Sequence, residues 1–354
     1  MNSNPSPPVA RGALTNPPNR FEHISLERDE DWDPNEDPLP HTQFLADRSN
    51  TLITYNDSPD VGFEASINPY RGCEHGCIYC YARPFHEYLG FSAGLDFETR
   101  IMVNQDAPKL LRSELSSPKW KPQVIALSGV TDCYQPVERR LKLTRGCLEV
   151  LAEFRNPVAI ITKNSLVTRD IDLLSNLATA HAIAVFVSLT TLDTELRKVM
   201  EPRTSPPATR LAAIRALAQA GIPVGVLIAP VIPGLTDHEI PALVEAAAEA
   251  GARAASYVIL RLPHAVAPLF EQWLATHFPE RKEKVLQRIR SMRNGKLYEY
   301  AFGKRMRGEG IFAEQVDSLF DIACRKHGLA GRMPELSTAA FRRPSGKQME
   351  LSLS

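Results

Sequence analysis

The sequence has no long apolar run. Its most hydrophobic stretch, residues 222–232, covers 11 positions and is interrupted by Pro223 and Pro230. A membrane-crossing helix needs about 20 consecutive apolar residues, so no span and no membrane partner are expected. The start of the chain also lacks the apolar core of a secretory signal, which predicts a cytoplasmic protein. Nor does one sign of charge dominate: 41 Lys and Arg balance 41 Asp and Glu. That balance does not demand a polyanionic partner. Cysteine is scarce, six in 354 residues, and predicts no disulfide framework. Three of the six nevertheless fall within eight positions, a crowding that points to metal or redox chemistry.

The charge is balanced overall but not locally. Residues 1–60 carry 4 basic and 11 acidic side chains, and residues 281–354 carry 16 basic and 8 acidic. The basic end is either a charged helical surface or a contact for an anionic partner such as nucleic acid. No stretch is read as interleaving aromatics with Lys or Arg in the manner of a single-strand stacking platform.

Residues 1–45 are rich in Pro, Asn, Asp and Glu, show no apolar periodicity, and predict a disordered or extended arm. The core is placed at 46–262; from about Phe63 short β-branched runs alternate with amphipathic stretches, the pattern of repeated βα units around a parallel sheet. Strands are expected at 66–70, 124–127, 158–162, 183–189, 224–229 and 255–260. Helices are expected at 137–154, 168–178, 208–220 and 237–250, the last two closed by Gly221 and Gly251. Six such units predict an α/β fold, a partial (β/α)6 TIM-type barrel. Residues 263–354 predict a C-terminal helical extension, with helices at 266–277, 281–292 and 313–327. In this architecture ligands gather at the carboxyl ends of the strands.

The crowded cysteines lie in such a loop, which reads Gly72-Cys73-Glu74-His75-Gly76-Cys77-Ile78-Tyr79-Cys80-Tyr81. Three thiolates can hold three irons of a cubane cluster and leave the fourth iron open. A closed zinc site or an electron-transfer cluster normally takes four ligands. His75 as the fourth would give a Cys3His zinc site, though two ligands so close together would strain the loop. Cys147 and Cys324 fall within helices and read as packed side chains.

The spacing C-x3-C-x-aromatic-C after a first strand resembles the radical S-adenosylmethionine superfamily. Asn68 to Cys73, the SGVTDCYQP of residues 128–136, the ITKN of 161–164 and the EPR of 201–203 resemble a subgroup related to spore photoproduct lyase, labelled DNA repair photolyases. The resemblance implies a 4Fe–4S cluster on Cys73, Cys77 and Cys80, with S-adenosyl-L-methionine chelated at the open iron. It implies reductive cleavage of that cosubstrate, hydrogen abstraction from an organic substrate, and a reducing electron donor such as a flavodoxin or ferredoxin. By analogy the substrate is a damaged nucleic-acid base and the step is lyase- or repair-like. A peptide, an RNA or a small metabolite is the alternative. An iron–sulfur electron carrier or a zinc-stabilised nucleic-acid-binding protein is the reading from a different class.

The same resemblance assigns the cosubstrate contacts. Lys163 matches the lysine that meets its carboxylate, Thr131 and Asp132 the Thr/Ser-Asp pair that precedes it, Ser188 a further polar contact, and Tyr79 an aromatic whose backbone meets adenine. Arg203 either pairs with the carboxylate or anchors its loop through Glu201. In spore photoproduct lyase a cysteine just before the Thr/Ser-Asp pair returns hydrogen to the product radical, helped by tyrosines. Tyr79 and Tyr81 match those tyrosines, but Gly129 stands where the cysteine would be. Cys133, one residue past Asp132, is expected either to face the active-site mouth and take over that role or to be packed within its loop.

Overall fold

The computed structural model describes residues 10–21 and 41–344, so most of the acidic arm and the last ten residues of the basic tail lie outside the described residues. In chain order the strands are β1 (Gln43–Ala46), β2 (Ile53–Tyr55), β3 (Ala65–Ile67), β4 (Tyr70–Arg71), β5 (Arg100–Val103), β6 (Ile125–Leu127), β7 (Val158–Thr162), β8 (Ile183–Ser188), β9 (Val224–Val231) and β10 (Ala255–Ile259). The helices are α1 (Leu95–Thr99), α2 (Ala107–Ser116), α3 (Glu138–Leu141), α4 (Leu143–Phe154), α5 (Ile171–Thr179), α6 (Thr194–Met200), α7 (Pro207–Gln219), α8 (Ile240–Glu249), α9 (Val266–His277), α10 (Lys282–Ser291) and α11 (Ile311–Lys326).

The main sheet has the order β10-β9-β8-β7-β6-β3-β2. Its six strands from β10 to β3 are parallel, and β2 joins the edge antiparallel to β3. The edge strands β10 and β2 do not pair, so the sheet stays open: a partial six-unit barrel, as the alternation predicts. Helices cover the outer face, and Ile125, Leu127, Ile160, Val185, Val187 and Val226 are inaccessible to solvent. Burial on both faces is why β8 and β9 read as nearly continuous apolar runs rather than alternating ones. A second sheet, β1-β5-β4, packs Tyr70, Ile101 and Val103 against Val137 and Leu143. Its strands are two to four residues long, too short for a periodic signal.

The helix expected at 137–154 is two. Lys142 adopts a left-handed backbone, φ 55°, between α3 and α4. The buried Glu138 carboxylate accepts from the backbone N–H of Thr144 at 3.0 Å and of Arg145 at 3.3 Å, satisfying free donors at the start of α4. A side-chain cap thus competes with continuation of the helix. Residues 10–21 form no helix or strand. They are packed, and Ala13 is fully buried in one cluster with Cys77, Ile78, Tyr79 and Trp273. The C-terminal helices share that cluster through α9 and α10, while α11 packs on α8.

Candidate active site

The cysteine loop leaves β4 at the carboxyl end of β3. Its backbone is held from both sides: Cys73 N–H donates to Phe97 O at 2.9 Å and Ile78 N–H to Met200 O at 3.1 Å. Gly76 has φ 66°, and a Cβ there would stand 2.6 Å from Glu98 Oε2, so this turn admits only glycine. Cys73 and Cys77 are buried and Cys80 is half-buried. Burial raises all three thiol pKa values; at Cys73, Asp132 and the other two thiols add to it.

Asp132 is the hinge between this loop and the barrel. Its Oδ1 accepts from Thr162 Oγ1 at 2.8 Å and Tyr134 N at 2.9 Å. Its Oδ2 accepts from Lys163 N at 2.7 Å and lies 3.3 Å from His75 Nδ1. Burial alone would raise its pKa, but His75 and the two backbone N–H groups hold it below the usual range. Thr131 gives its hydroxyl to Tyr70 O at 2.7 Å. The pair expected to touch the cosubstrate is therefore spent on the protein itself. His75 is spent too: Nδ1 faces Asp132 and Nε2 lies 3.2 Å from Asn164 Nδ2. Neither nitrogen is left for the Cys3His zinc site.

The structure brings Lys163 and Ser188 together, but onto each other. Lys163 Nζ donates to Ser188 Oγ at 2.7 Å, Thr190 Oγ1 at 3.0 Å and Ala229 O at 2.9 Å, and stands 3.2 Å from Glu201 Oε1. Three ammonium hydrogens against four acceptors leave none free. To hold a cosubstrate carboxylate, Lys163 would have to exchange one of these partners. Glu201 is the centre of the group, accepting also from Arg210, Thr190 and the Tyr79 hydroxyl. Burial opposes its charge, yet Arg210 and Lys163 overcome that and hold its pKa far below the usual range. The Tyr79 phenol, pushed well up by burial and by Glu201, is locked in this network and is not a free relay. Arg203 anchors its loop, as one reading expected, through Glu74 at 3.1 Å rather than Glu201.

Cys133 does not face the mouth. It is 1% exposed in the main core, its backbone tied to Ser128 Oγ at 2.8 Å and Thr144 Oγ1 at 2.6 Å. An apolar pocket beneath the loop claims it, and the packed alternative is the one realised. Tyr81 does lie at the mouth. Its hydroxyl donates to Gly129 O at 2.9 Å. Beside it, the Arg261 guanidinium lies 5.1 Å from the Tyr81 ring and 5.8 Å from the Tyr298 ring, and donates to Tyr298 Oη at 3.0 Å. Tyr300 meets Tyr298 edge-on at 4.5 Å, and Arg305 covers the Phe302 ring at 4.5 Å. Tyr298, Tyr300 and Phe302 alternate along the chain between Lys296 and the Lys304–Arg305 pair. Glu299 and Ala301 separate the three rings, so the basic residues flank the row rather than interleave with it. Much of the basic end is neutralised at home: Arg288 pairs with Asp237 at 2.9 Å and Lys304 with Glu309 at 2.9 Å.

The three thiols fit the implied cluster by their chemistry. They are soft donors on one buried loop, and at Cys73 the other two thiols help to raise the pKa. Among the described residues no three His, Cys, Asp or Glu stand as a single-ion shell. A cubane presents separate iron corners, so its thiolates need not converge on one point.

The radical SAM superfamily model matches residues 67–247, about half of the chain and all of the geometry just described except the Arg261 group. The chain belongs to the radical SAM superfamily, and it is therefore an enzyme whose family implies S-adenosylmethionine and a 4Fe–4S cluster. An uncharacterized protein of Mycobacterium tuberculosis is 40% identical over 220 residues, which cover 62% of this chain and 65% of that one. An uncharacterized protein of Methanocaldococcus jannaschii is 32% identical over 184 residues, covering 52% and 66%. The matched part thus spans somewhat under two thirds of the curated relatives. Among solved structures, a variant of spore photoproduct lyase with bound AdoMet and dinucleoside spore photoproduct superposes with TM-score 0.56 at 18% identity, covering 80% of this chain and 78% of that one. At that identity the likeness is one of fold. No helix among the described residues is long and apolar enough to cross a membrane.

Residues that sequence reading missed are the buried partners Glu201, as a network centre, Arg210, Thr190 and His75, and the half-buried Arg261. Arg210 left one signal, a cation on the same helix face as Ala213, Ile214 and Leu217, and it is 1% exposed.

Proposed function

We propose that Cys73, Cys77 and Cys80 hold the cluster and that the substrate presents a flat heteroaromatic group, a damaged nucleic-acid base being the case that fits best, with a lyase- or repair-like outcome. When bound, the cluster and S-adenosylmethionine supply a 5′-deoxyadenosyl radical for hydrogen abstraction, driven by an electron from a donor such as a flavodoxin or ferredoxin. The chain's own part is to bury the thiols, fix their loop through Asp132 and His75, and present the substrate. One observation supports the substrate class above the others: Tyr81, the residue after Cys80, shares Arg261 with Tyr298, and exposed Tyr300 and Phe302 continue the row. Aromatic faces beside guanidinium groups stack nucleobases of any sequence. Tyr81 is also the one member of the proposed hydrogen-return set with its ring at the mouth.

The test is anaerobic. Reconstituted protein, reduced with dithionite, should convert S-adenosylmethionine to 5′-deoxyadenosine and methionine. Deuterium should then pass from a labelled damaged oligonucleotide into 5′-deoxyadenosine. Deuterium arriving only from labelled peptides or extract metabolites would overturn the substrate assignment. No 5′-deoxyadenosine from iron-loaded, reduced protein would overturn the whole reading.

A further inference from the structure

Residues 10–21 run along the outside of the segment that carries the cysteine loop and touch it at almost every turn. Asn19 Nδ2 donates to Glu87 O at 2.9 Å and Phe91 O at 3.1 Å. Ser92 Oγ donates to Pro17 O at 2.6 Å, and Asn16 and Asp96 exchange two hydrogen bonds at 3.0 and 2.9 Å. Leu95 N–H donates to Thr15 O at 3.3 Å. The contacts then close on the loop itself. Glu98 accepts from Gly12 N at 3.0 Å and Ala13 N at 2.8 Å, and pairs with Arg83 at 2.5 Å, all three groups being buried. Arg83 in turn donates to Cys77 O at 3.0 Å and Gly76 O at 3.3 Å. Gly12 lies so close that a Cβ would fall 1.7 Å from Gly76 O and 3.2 Å from Ile78 N.

We propose that residues 10–21 are a strap that positions the cysteine loop, with Gly12 as its contact point and the Glu98–Arg83 pair as its anchor. A buried ion pair is stabilising only while its remaining donors and acceptors are satisfied, and here the strap supplies two of Glu98's donors. The pair holds the consecutive carbonyls of Gly76 and Cys77, so the strap fixes where Cys77 stands. It also closes the rear of the loop against water through Ala13. The consequence for the cluster rests on the reading of the loop given above; the positioning of the loop does not.

The experiment compares full-length wild type with Gly12→Val, Asn16→Ala and, as control, Gly62→Val, whose Cβ would meet nothing within 4 Å. In metal-free protein, alkylation of Cys73, Cys77 and Cys80 in Gly12→Val should quicken about tenfold, as local opening of one segment would permit, while Cys147 and Cys324 stay protected. Asn16→Ala should give the same selective pattern more weakly. In iron-loaded protein a chelator should strip iron from Gly12→Val about tenfold faster, the usual scale for losing an outer partner of a metal site. The electron paramagnetic resonance spectrum of its reduced cluster should shift. Equal labelling of Cys147 and Cys324 with the three loop cysteines in Gly12→Val signals general unfolding and passes the decision to Asn16→Ala. Wild-type loop labelling in Asn16→Ala would then overturn the strap, as would wild-type labelling in Gly12→Val. If wild type takes up no iron yet the labelling contrast holds, the strap stands and the cluster assignment falls.

Discussion

Lys163 and Arg261 both lie at strand ends, each beside a tyrosine of the cysteine loop, and the protein satisfies them to different degrees. Lys163 follows β7, its ammonium 5.6 Å from the Tyr79 ring, and every hydrogen it carries has an acceptor. Arg261 follows β10, its guanidinium 5.1 Å from the Tyr81 ring, and its buried Nε has no partner. A saturated buried cluster fixes geometry, since breaking any member leaves an unpaired charge. An unsaturated cluster at a rim still has binding capacity, and an unmade hydrogen bond there favours whatever can complete it. The first is locked on its own partners; the second keeps one buried donor, Arg261 Nε, without one.

The largest expected effect lies beneath both. Cys73→Ala, Cys77→Ala or Cys80→Ala should each abolish the cluster, measured as iron and sulfide per chain, because Cys133, Cys147 and Cys324 are buried elsewhere. Cys147→Ala and Cys324→Ala should keep it. Next, Glu201→Ala should destabilise the metal-free protein by about 3–5 kcal/mol in a denaturant titration, the cost of stranding Arg210 and Lys163. A small effect there would mean that Lys163 is less committed than its partners imply, and would return it to cosubstrate binding.

His86 offers a pH test of the same segment. Burial lowers its pKa from 6.5 to about 4, and its Nε2 has no partner. The unfolded chain therefore binds the extra proton between those values. Stability should be full above pH 6.5 and fall as pH drops toward 4, by up to about 3 kcal/mol. His86→Leu should flatten that slope in urea unfolding curves taken between pH 4 and 7. The smallest stability effect belongs to the rim. Tyr300→Ala, at a residue 60% exposed, should leave unfolding within about 0.5 kcal/mol of wild type. The same variant should weaken a single-stranded oligonucleotide by about 1–3 kcal/mol in a binding titration, and unchanged affinity would break the contrast with Lys163.

What the sequence determined by itself is the part that repeats or is local. Apolar runs bounded by turn residues set β7 and β8 to within a residue, and helix periodicity placed α9 at its exact bounds, because burial of one face imposes a period on the chain. The cysteine loop was legible because its three thiols fall within eight positions of one loop, a local pattern that needs no tertiary contact to be seen. Partner choice was decided only by the tertiary structure. Lys163 could be read as a strand-end cation, but not as the donor to Ser188, Thr190 and Ala229, which come from two other strands and their loops. Cys133 sat next to Asp132 in sequence, and a single residue's turn of the backbone put one in the core and the other on the loop. Gly12, about sixty residues before the thiols, carries no periodic signal; only the packing, in which a Cβ would fall 1.7 Å from Gly76 O, explains why it has no side chain. Long-range contacts of this kind arise from the packing of buried charge and volume, which no local pattern encodes.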